Sequence, residues 1–300
     1  MNIPIRRATR ARKGLLICAL CLLGMAGCGG GGGSGGGNTS ASTTGTPPSD
    51  PPASTSPLSP PPPVVANPPS VQIDVLLLLS ESTRTLFGDP ILRSQHLVNV
   101  ANDILRDSGV ATGLHITGQR FVDYPDAPAA EVALEALTYA THASLAEAPA
   151  WRDSDAADLV ILLRPYADDG NCGYAWLAGS GNGADLSGPE NARFGYAVVA
   201  INCPDYTFMH EVGHLLGLAH SRRESAAGGT LDSSVGYGVD HEFATIMASP
   251  QAYNATQLPR LSSPARRCNG QPCGIEHGSE DAADAVHTLN LTSAQVARYR

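Results

Sequence analysis

The segment Phe208-Met-His-Glu-Val-Gly-His-Leu-Leu-Gly-Leu-Ala-His220 constrains this chain more than any other stretch. His210 and His214 stand four apart, so a helix puts both imidazoles on one face, within reach of one ion at the roughly 2.0–2.1 Å that zinc requires. Glu211 sits one residue round from the first of them, too displaced to ligate but placed to contact a water on the metal. Gly217 marks where the helix must stop, because a residue without Cβ tolerates the left-handed conformation that turns the chain sharply. The turn brings His220 back as a third ligand. Three protein ligands leave one position open, the pattern of a catalytic rather than a structural site. One Zn2+ is therefore the expected cofactor, while no residue pattern decides whether a structural Ca2+ is bound.

The chain ahead of this segment alternates in period. Val71 to Ser80 is an apolar run of strand length, and from Pro90 to Val110 the residues Ile91, Leu92, Leu97, Val98, Ala101 and Leu105 recur at helical spacing. Leu114 to Val122 reads as a second strand, about Ala129 to Leu145 as a second helix, and Ala157 to Leu163 as a third strand. Gly173 to Ala178 and Gly195 to Asn202 read as two more, separated by the Gly-rich stretch Gly179 to Gly188. Strands alternating with helices predict a mixed α/β fold, a mostly parallel twisted sheet with crossover helices packed on it.

The N-terminus has another character. Arg6, Arg7, Arg10, Arg12 and Lys13 precede the apolar run Leu15 to Met25 with no acidic residue, which predicts an export signal over residues 1–27. The run is shorter than the roughly 20 apolar residues of a spanning helix. It ends in Met25-Ala26-Gly27-Cys28, which resembles a bacterial lipobox and makes Cys28 the expected lipidation site. Residues 28–70 are almost wholly Gly, Ser, Thr, Pro and Asn, too polar to bury a core, and predict a disordered tether. Residues 71–300 remain as one folded domain. The chain carries 19 basic and 28 acidic residues, and the signal accounts for five of the basic ones, leaving 14 against 28. So acidic a domain argues against nucleic acid or anionic lipid as partner. Membrane attachment is expected through the lipid anchor alone, in the cell envelope, with Gly29 after Cys28 favouring outer-membrane sorting; a monomer is the default expectation.

Four cysteines stand beyond Cys28. An even number in an exported domain predicts two disulfides. Of three possible pairings, Cys172 with Cys203 and Cys268 with Cys273 is favoured, because the second pair closes the short turn Asn269 to Pro272. No Cys-x-x-Cys spacing exists among these four to suggest a cysteine zinc site.

The extended histidine motif, together with Thr245-Ile-Met-Ala-Ser249, resembles the metzincin clan of zinc peptidases, whose second signature is a methionine turn beneath the metal. The resemblance covers roughly Val71 to Arg300, most strongly Met209 to Ser249. The gap from His220 to Met247, Leu261 to Pro264 and a terminal helix at Ala283 to Leu289 are similar to the reprolysin-like branch. It implies a metal-binding helix at a cleft and a smaller C-terminal subdomain holding the methionine turn and the terminal helix. Met247 is then an apolar floor under the ligands. Ser221 departs from the Asp that reprolysins usually carry after the third His. The activity implied is hydrolysis of protein or peptide substrates, with Glu211 as general base, an extended substrate along the edge strand Gly173 to Ala178, and a specificity pocket between Ser233 and Pro250. Glu280 and Asp284 imitate a thermolysin-like ligand pair, yet read better as acidic residues opening an exposed helix. The other histidines lack paired spacing. A binding module with structural zinc, or a hydrolase of a non-peptide amide or ester, are the alternatives.

Overall fold

The computed structural model describes residues 17–21, 69–224 and 228–300. Cys28 and all but the last two residues of the expected tether lie outside that set, as does most of the expected signal. The described residues belong to one compact unit. Its sheet contains Ile17–Cys21 (β1), Val71–Ser80 (β2), Thr112–Val122 (β3), Leu159–Arg164 (β4), Asn171–Trp176 (β5) and Tyr196–Ala200 (β6), in the order β1-β5-β6-β4-β2-β3. β3, β2, β4 and β6 run parallel, and β5 lies antiparallel to β6. The expected mostly parallel mixed sheet is borne out.

The central strands are apolar along their whole length because both faces are covered, as parallel strands require. Leu76 to Leu79 of β2 and Leu159 to Leu163 of β4 are fully buried. The short helix Thr83–Leu86 (α1) leads into Pro90–Ser108 (α2), which starts where the Asp89 carboxylate accepts from the Leu92 amide at 2.9 Å and Pro90 takes the first position. It ends at Gly109 in the left-handed region, φ 89°. The helix expected over Ala129 to Leu145 is instead three pieces: Ala130–Tyr139 (α3), a 3-10 turn at Ala143–Leu145, and Ala148–Ser154 (α4). Ala140 turns left-handed at φ 51°, and the His142 ring accepts from the Ser144 amide to start the next turn. Neither event leaves a mark in hydrophobic periodicity.

Pro189–Arg193 (α5) precedes β6, and Tyr206–Leu215 (α6) follows it. After α6 regular structure thins to two small ribbons, Gly238–Val239 (β7) with Phe243–Ala244 (β8) and Arg267–Cys268 (β9) with Gln271–Pro272 (β10). The chain closes with Ala285–Val296 (α7), longer than the expected terminal helix. Cys172 is bonded to Cys203 and Cys268 to Cys273, the latter across the β9–β10 turn. Among the described residues no helix is long and apolar enough to cross a membrane.

Candidate metal centre

Helix α6 packs against β5, β6 and α2, with every residue from Thr207 to Leu215 buried. It ends where Gly217 takes φ 94°; a Cβ there would also press on Thr230 Cγ2 at 2.7 Å. The chain then folds back, and His210, His214 and His220 come together. The Nε2 atom of His210 is 3.0 Å from that of His220 and 3.1 Å from that of His214. The remaining ring nitrogens of the helical pair are anchored: His210 Nδ1 donates to the Ile246 carbonyl at 2.8 Å and His214 Nδ1 to the Leu218 carbonyl at 2.7 Å. With Nδ1 carrying the proton, the two Nε2 atoms present lone pairs to a common point, and His220 Nε2 faces the same point.

Such nitrogens repel one another unless a cation lies between them. Two nitrogens bound tetrahedrally at 2.0–2.1 Å stand roughly 3.3 Å apart, close to the spacing here. Protonation states agree with that role. Burial first, then the neighbouring His220, holds the His210 imidazole down to about 3, and burial with its two neighbours holds His214 well below the usual range. Burial lowers His220 as well. Three neutral imidazoles are what a divalent metal binds. Among the described residues this is the one group of three such side chains able to share an ion.

Glu211 is fully buried, and neither carboxylate oxygen has a hydrogen-bond partner in the protein. Burial alone pushes its carboxyl well above the ordinary 4.5. An orphaned carboxylate beside three convergent imidazoles belongs to a site completed by something the polypeptide does not supply. The sheet edge makes room for it: a Cβ on Gly173 of β5 would run into the Glu211 carboxylate. The expected substrate strand therefore adjoins Glu211. It is not the edge strand that was expected, because β1 pairs with its outer side antiparallel, Ile17 opposite Trp176 and Cys21 opposite Asn171.

Met247 is fully buried, and its Sδ atom lies 2.6 Å from where a Cβ on Gly213, between the two helical histidines, would sit. The turn around it is held by backbone acceptors: Gln257 Nε2 donates to Ile246 O at 3.1 Å and Ala248 O at 3.3 Å, and Ile246 N donates to Arg260 O at 2.9 Å. Glu224 ties this turn to the third histidine's segment, its Oε2 accepting from Ser221 Oγ at 2.6 Å and from the Ser249 amide at 2.9 Å. A carboxylate three residues downstream thus reaches the place where Ser221 stands in the motif. Segment 233–250, the expected specificity region, borders the same segment, since Ala219 N donates to Ser234 O at 2.8 Å and Gly236 N to Ala219 O at 3.3 Å.

Glu280 and Asp284 do not join the histidine cluster. Asp284 caps α7, its Oδ1 accepting from the His287 amide at 3.1 Å, and it is buried where an exposed residue was expected; Glu280 lies in the turn before the helix. The remaining histidines are satisfied locally, His96 by Asp205 and His115 by Asp74, with His277 stacked on His287. Sequence reasoning passed over Gly173, Gly213, Gln257 and Glu224. Of these only Gly213 carried a signal, as a glycine inside a helix that its propensity disfavours.

Residues 90–278 match the metallopeptidase family M12B, reprolysin-like. The chain is 32% identical over 258 residues to a peptidyl-Asp metalloendopeptidase of Pseudomonas aeruginosa PAO1, covering 78% of this chain and 41% of that protein. It is 27% identical over 238 residues to a peptidyl-Asp metalloendopeptidase of Stenotrophomonas maltophilia K279a, covering 76% and 52% respectively. The chain thus spans about half or less of these two relatives. A chain in the solved structure of a chaperone–substrate complex is similar at 26% identity and a TM-score of 0.59, over 77% of this chain and 35% of that one.

Proposed function

Because the chain belongs to the reprolysin-like metallopeptidase family M12B, we propose that it is a zinc-dependent endopeptidase whose metal is held by His210, His214 and His220. The observation that carries this reading is the meeting of three convergent, neutral imidazoles, two of them anchored through Nδ1, with a fully buried, partnerless Glu211. Bound there, zinc supplies Lewis acidity toward a peptide carbonyl and toward water. Glu211 takes the proton of the attacking water and delivers it to the leaving amine, and burial, which raises its carboxyl above the ordinary range, favours its holding the proton between the two transfers. Met247 and Gly213 fix the floor beneath the ligands, while the Ile246 and Leu218 carbonyls hold two of the rings in one tautomer.

Once Ile17–Cys21 leaves with the expected signal, an extended peptide takes its place along β5 by the same antiparallel backbone pairing, which puts its earlier residues toward Trp176. The relatives' name motivates a preference for peptide bonds at aspartate. A binding module with structural zinc gives no account of a carboxylate buried without a partner. Cleavage of a mixed peptide library by the zinc-loaded protein, with and without chelator, tests the reading. Chelator-sensitive cuts concentrated at Asp support it, and cuts that persist in chelator exclude the metal chemistry. Export and anchoring through Cys28 belong to the same proposal. Cys28→Ser is expected to abolish incorporation of labelled palmitate, whereas labelling that persists contradicts the anchor.

A further inference from the structure

A cavity of about 710 Å³ opens beside the C-terminal residues and shares no residue with the histidine cluster. Its floor includes Arg152 of α4 and Tyr299. Arg152 is fully buried; its Nε donates to Ala157 O at 3.1 Å, its Nη2 donates to Asp158 O, and its Cζ stands 4.9 Å over the Tyr196 ring. Its Nη1 forms no well-aligned hydrogen bond, although the Tyr196 side chain lies close enough to favour the charged guanidinium, and the buried Tyr299 hydroxyl has no partner among the described residues. Asp158, the acidic neighbour of Arg152, commits its two oxygens to the backbone amides of Asp74 and Tyr299. Two buried donors left without well-aligned acceptors are costly, and each asks for an electron-rich atom.

The rim repeats the sign of the floor. Arg193, Arg298 and Arg300 line the same cavity. Among the described residues Arg193 makes no ion pair and Arg298 donates only to Ala294 O, while Arg300 pairs with the exposed Asp153 at 2.5 Å. Elsewhere most arginines near the surface are matched, Arg84 with Glu81, Arg93 with Asp205, Arg106 with Asp103, Arg120 with Asp155, Arg222 with Asp232, Arg223 with Asp240 and Arg260 with Asp107, while the exposed Arg266 and Arg267 pair with no acid among the described residues. In a chain of net charge −9, four arginines thus line one cavity, and two of them on its rim, Arg193 and Arg298, have no acidic partner among the described residues.

We propose that this cavity is an anion site for a ligand carrying more than one oxyanion group, supplied either by a small polyanion or by neighbouring acidic side chains of a peptide. Guanidinium forks match carboxylate and other oxyanion geometry, and arginines on both floor and rim call for a ligand with charge at more than one point. The volume falls within the roughly 300–1,000 Å³ of ordinary ligand sites, larger than a single inorganic anion needs.

The protein carries its own reporters. Trp151 precedes Arg152, and Trp176 Nε1 donates at 2.8 Å to Thr138 Oγ1, whose residue lines the cavity. Tryptophan fluorescence of the zinc-loaded full chain is followed while ethane-1,2-disulfonate or a D-glutamate tetrapeptide is added, with chloride at matched ionic strength as the control. Both probes spare the zinc, and the D-peptide resists cleavage. Saturable binding of either probe beyond the chloride response is expected. The double variant Arg193→Glu/Arg298→Glu, on the exposed rim, should weaken it by at least about tenfold with an unchanged melting temperature and unchanged cleavage rate. Tyr299→Phe should weaken it several-fold. Tighter binding of the D-peptide assigns the oxyanions to an acidic peptide, and tighter binding of the disulfonate assigns them to a small polyanion. No saturation beyond chloride, or full affinity retained by the rim variant, overturns the proposal.

Discussion

The sheet half of the molecule, from β2 to β6, and the loop-rich half, from Gly217 to Pro272, are built by different means. In the first, continuous apolar strands and an amphipathic helix bury Leu76 to Leu79, Leu97, Leu105 and Leu159 to Leu163 in one core, and backbone ladders supply the hydrogen bonds. In the second, regular structure is almost absent. Its shape rests on side chains bonded to backbone, such as Thr245 on Tyr237, Gln257 on Ile246 and Ala248, and Glu224 on Ser249, together with close backbone approaches at Gly229 and Gly236. The first half supplies stability that tolerates small errors. The second supplies placement, and an error there is felt at the metal centre before it is felt in the fold.

That contrast can be broken at several points. The largest expected effect on stability is Leu77→Ala in β2. The side chain is fully buried on a covered face of the sheet, so its removal should cost about 2–5 kcal/mol in denaturant unfolding while leaving zinc affinity of the folded fraction unchanged. A smaller loss would mean the sheet relaxes around the void.

Gly173→Ala sits on the boundary. Its new methyl collides with the Glu211 carboxylate, so overpacking of about 1–3 kcal/mol is expected with a loss of kcat far larger than that of Leu77→Ala. Unchanged kcat would separate Glu211 from the strand.

Glu224→Gln removes the charged acceptor that clasps Ser221 and Ser249. Zinc affinity, measured by competition with a chromophoric chelator, should fall about 10–100-fold with little change in melting temperature. A melting change without an affinity change would reassign Glu224 to the scaffold.

The mildest test is pH. In chelated protein the histidines are held neutral by burial, His210 down to about 3, whereas in the unfolded chain a histidine takes up its proton near 6.5. The unfolded state then binds more protons, and stability contributed by these groups is lost as pH falls from about 6.5 toward 3. Glu211 works oppositely: its carboxyl is raised, so its contribution fades as pH rises toward the folded value. Urea midpoints should therefore fall on acidification in the chelated protein. Chelated Glu211→Gln should gain relative to the unmodified protein as pH rises, and parallel curves for the two would contradict the burial argument.

The same division explains what the sequence made legible. The strands and α2 announce themselves because period and apolarity are local properties, and the His-Glu-Gly-His pattern does so because metal chemistry fixes residue type and spacing together. Gly173 and Glu224 are silent because their importance is set by partners far along the chain, Glu211 for one and Ser249 for the other. The break in the expected helix at Ala140 carries no sequence signal because a non-glycine residue takes the left-handed conformation there. Asp284 is a buried cap where its place before a helix predicts an exposed charge, since capping and surface exposure place the same residue type there.

The central claim is that three histidines hold zinc while Glu211 performs proton transfer without holding it. The most direct test measures zinc content and peptide cleavage side by side in the protein and its Glu211→Ala variant. The account predicts equal zinc in both and a rate reduced about 10²–10⁴-fold in the variant. Equal zinc with equal cleavage, or zinc lost together with Glu211, would contradict it.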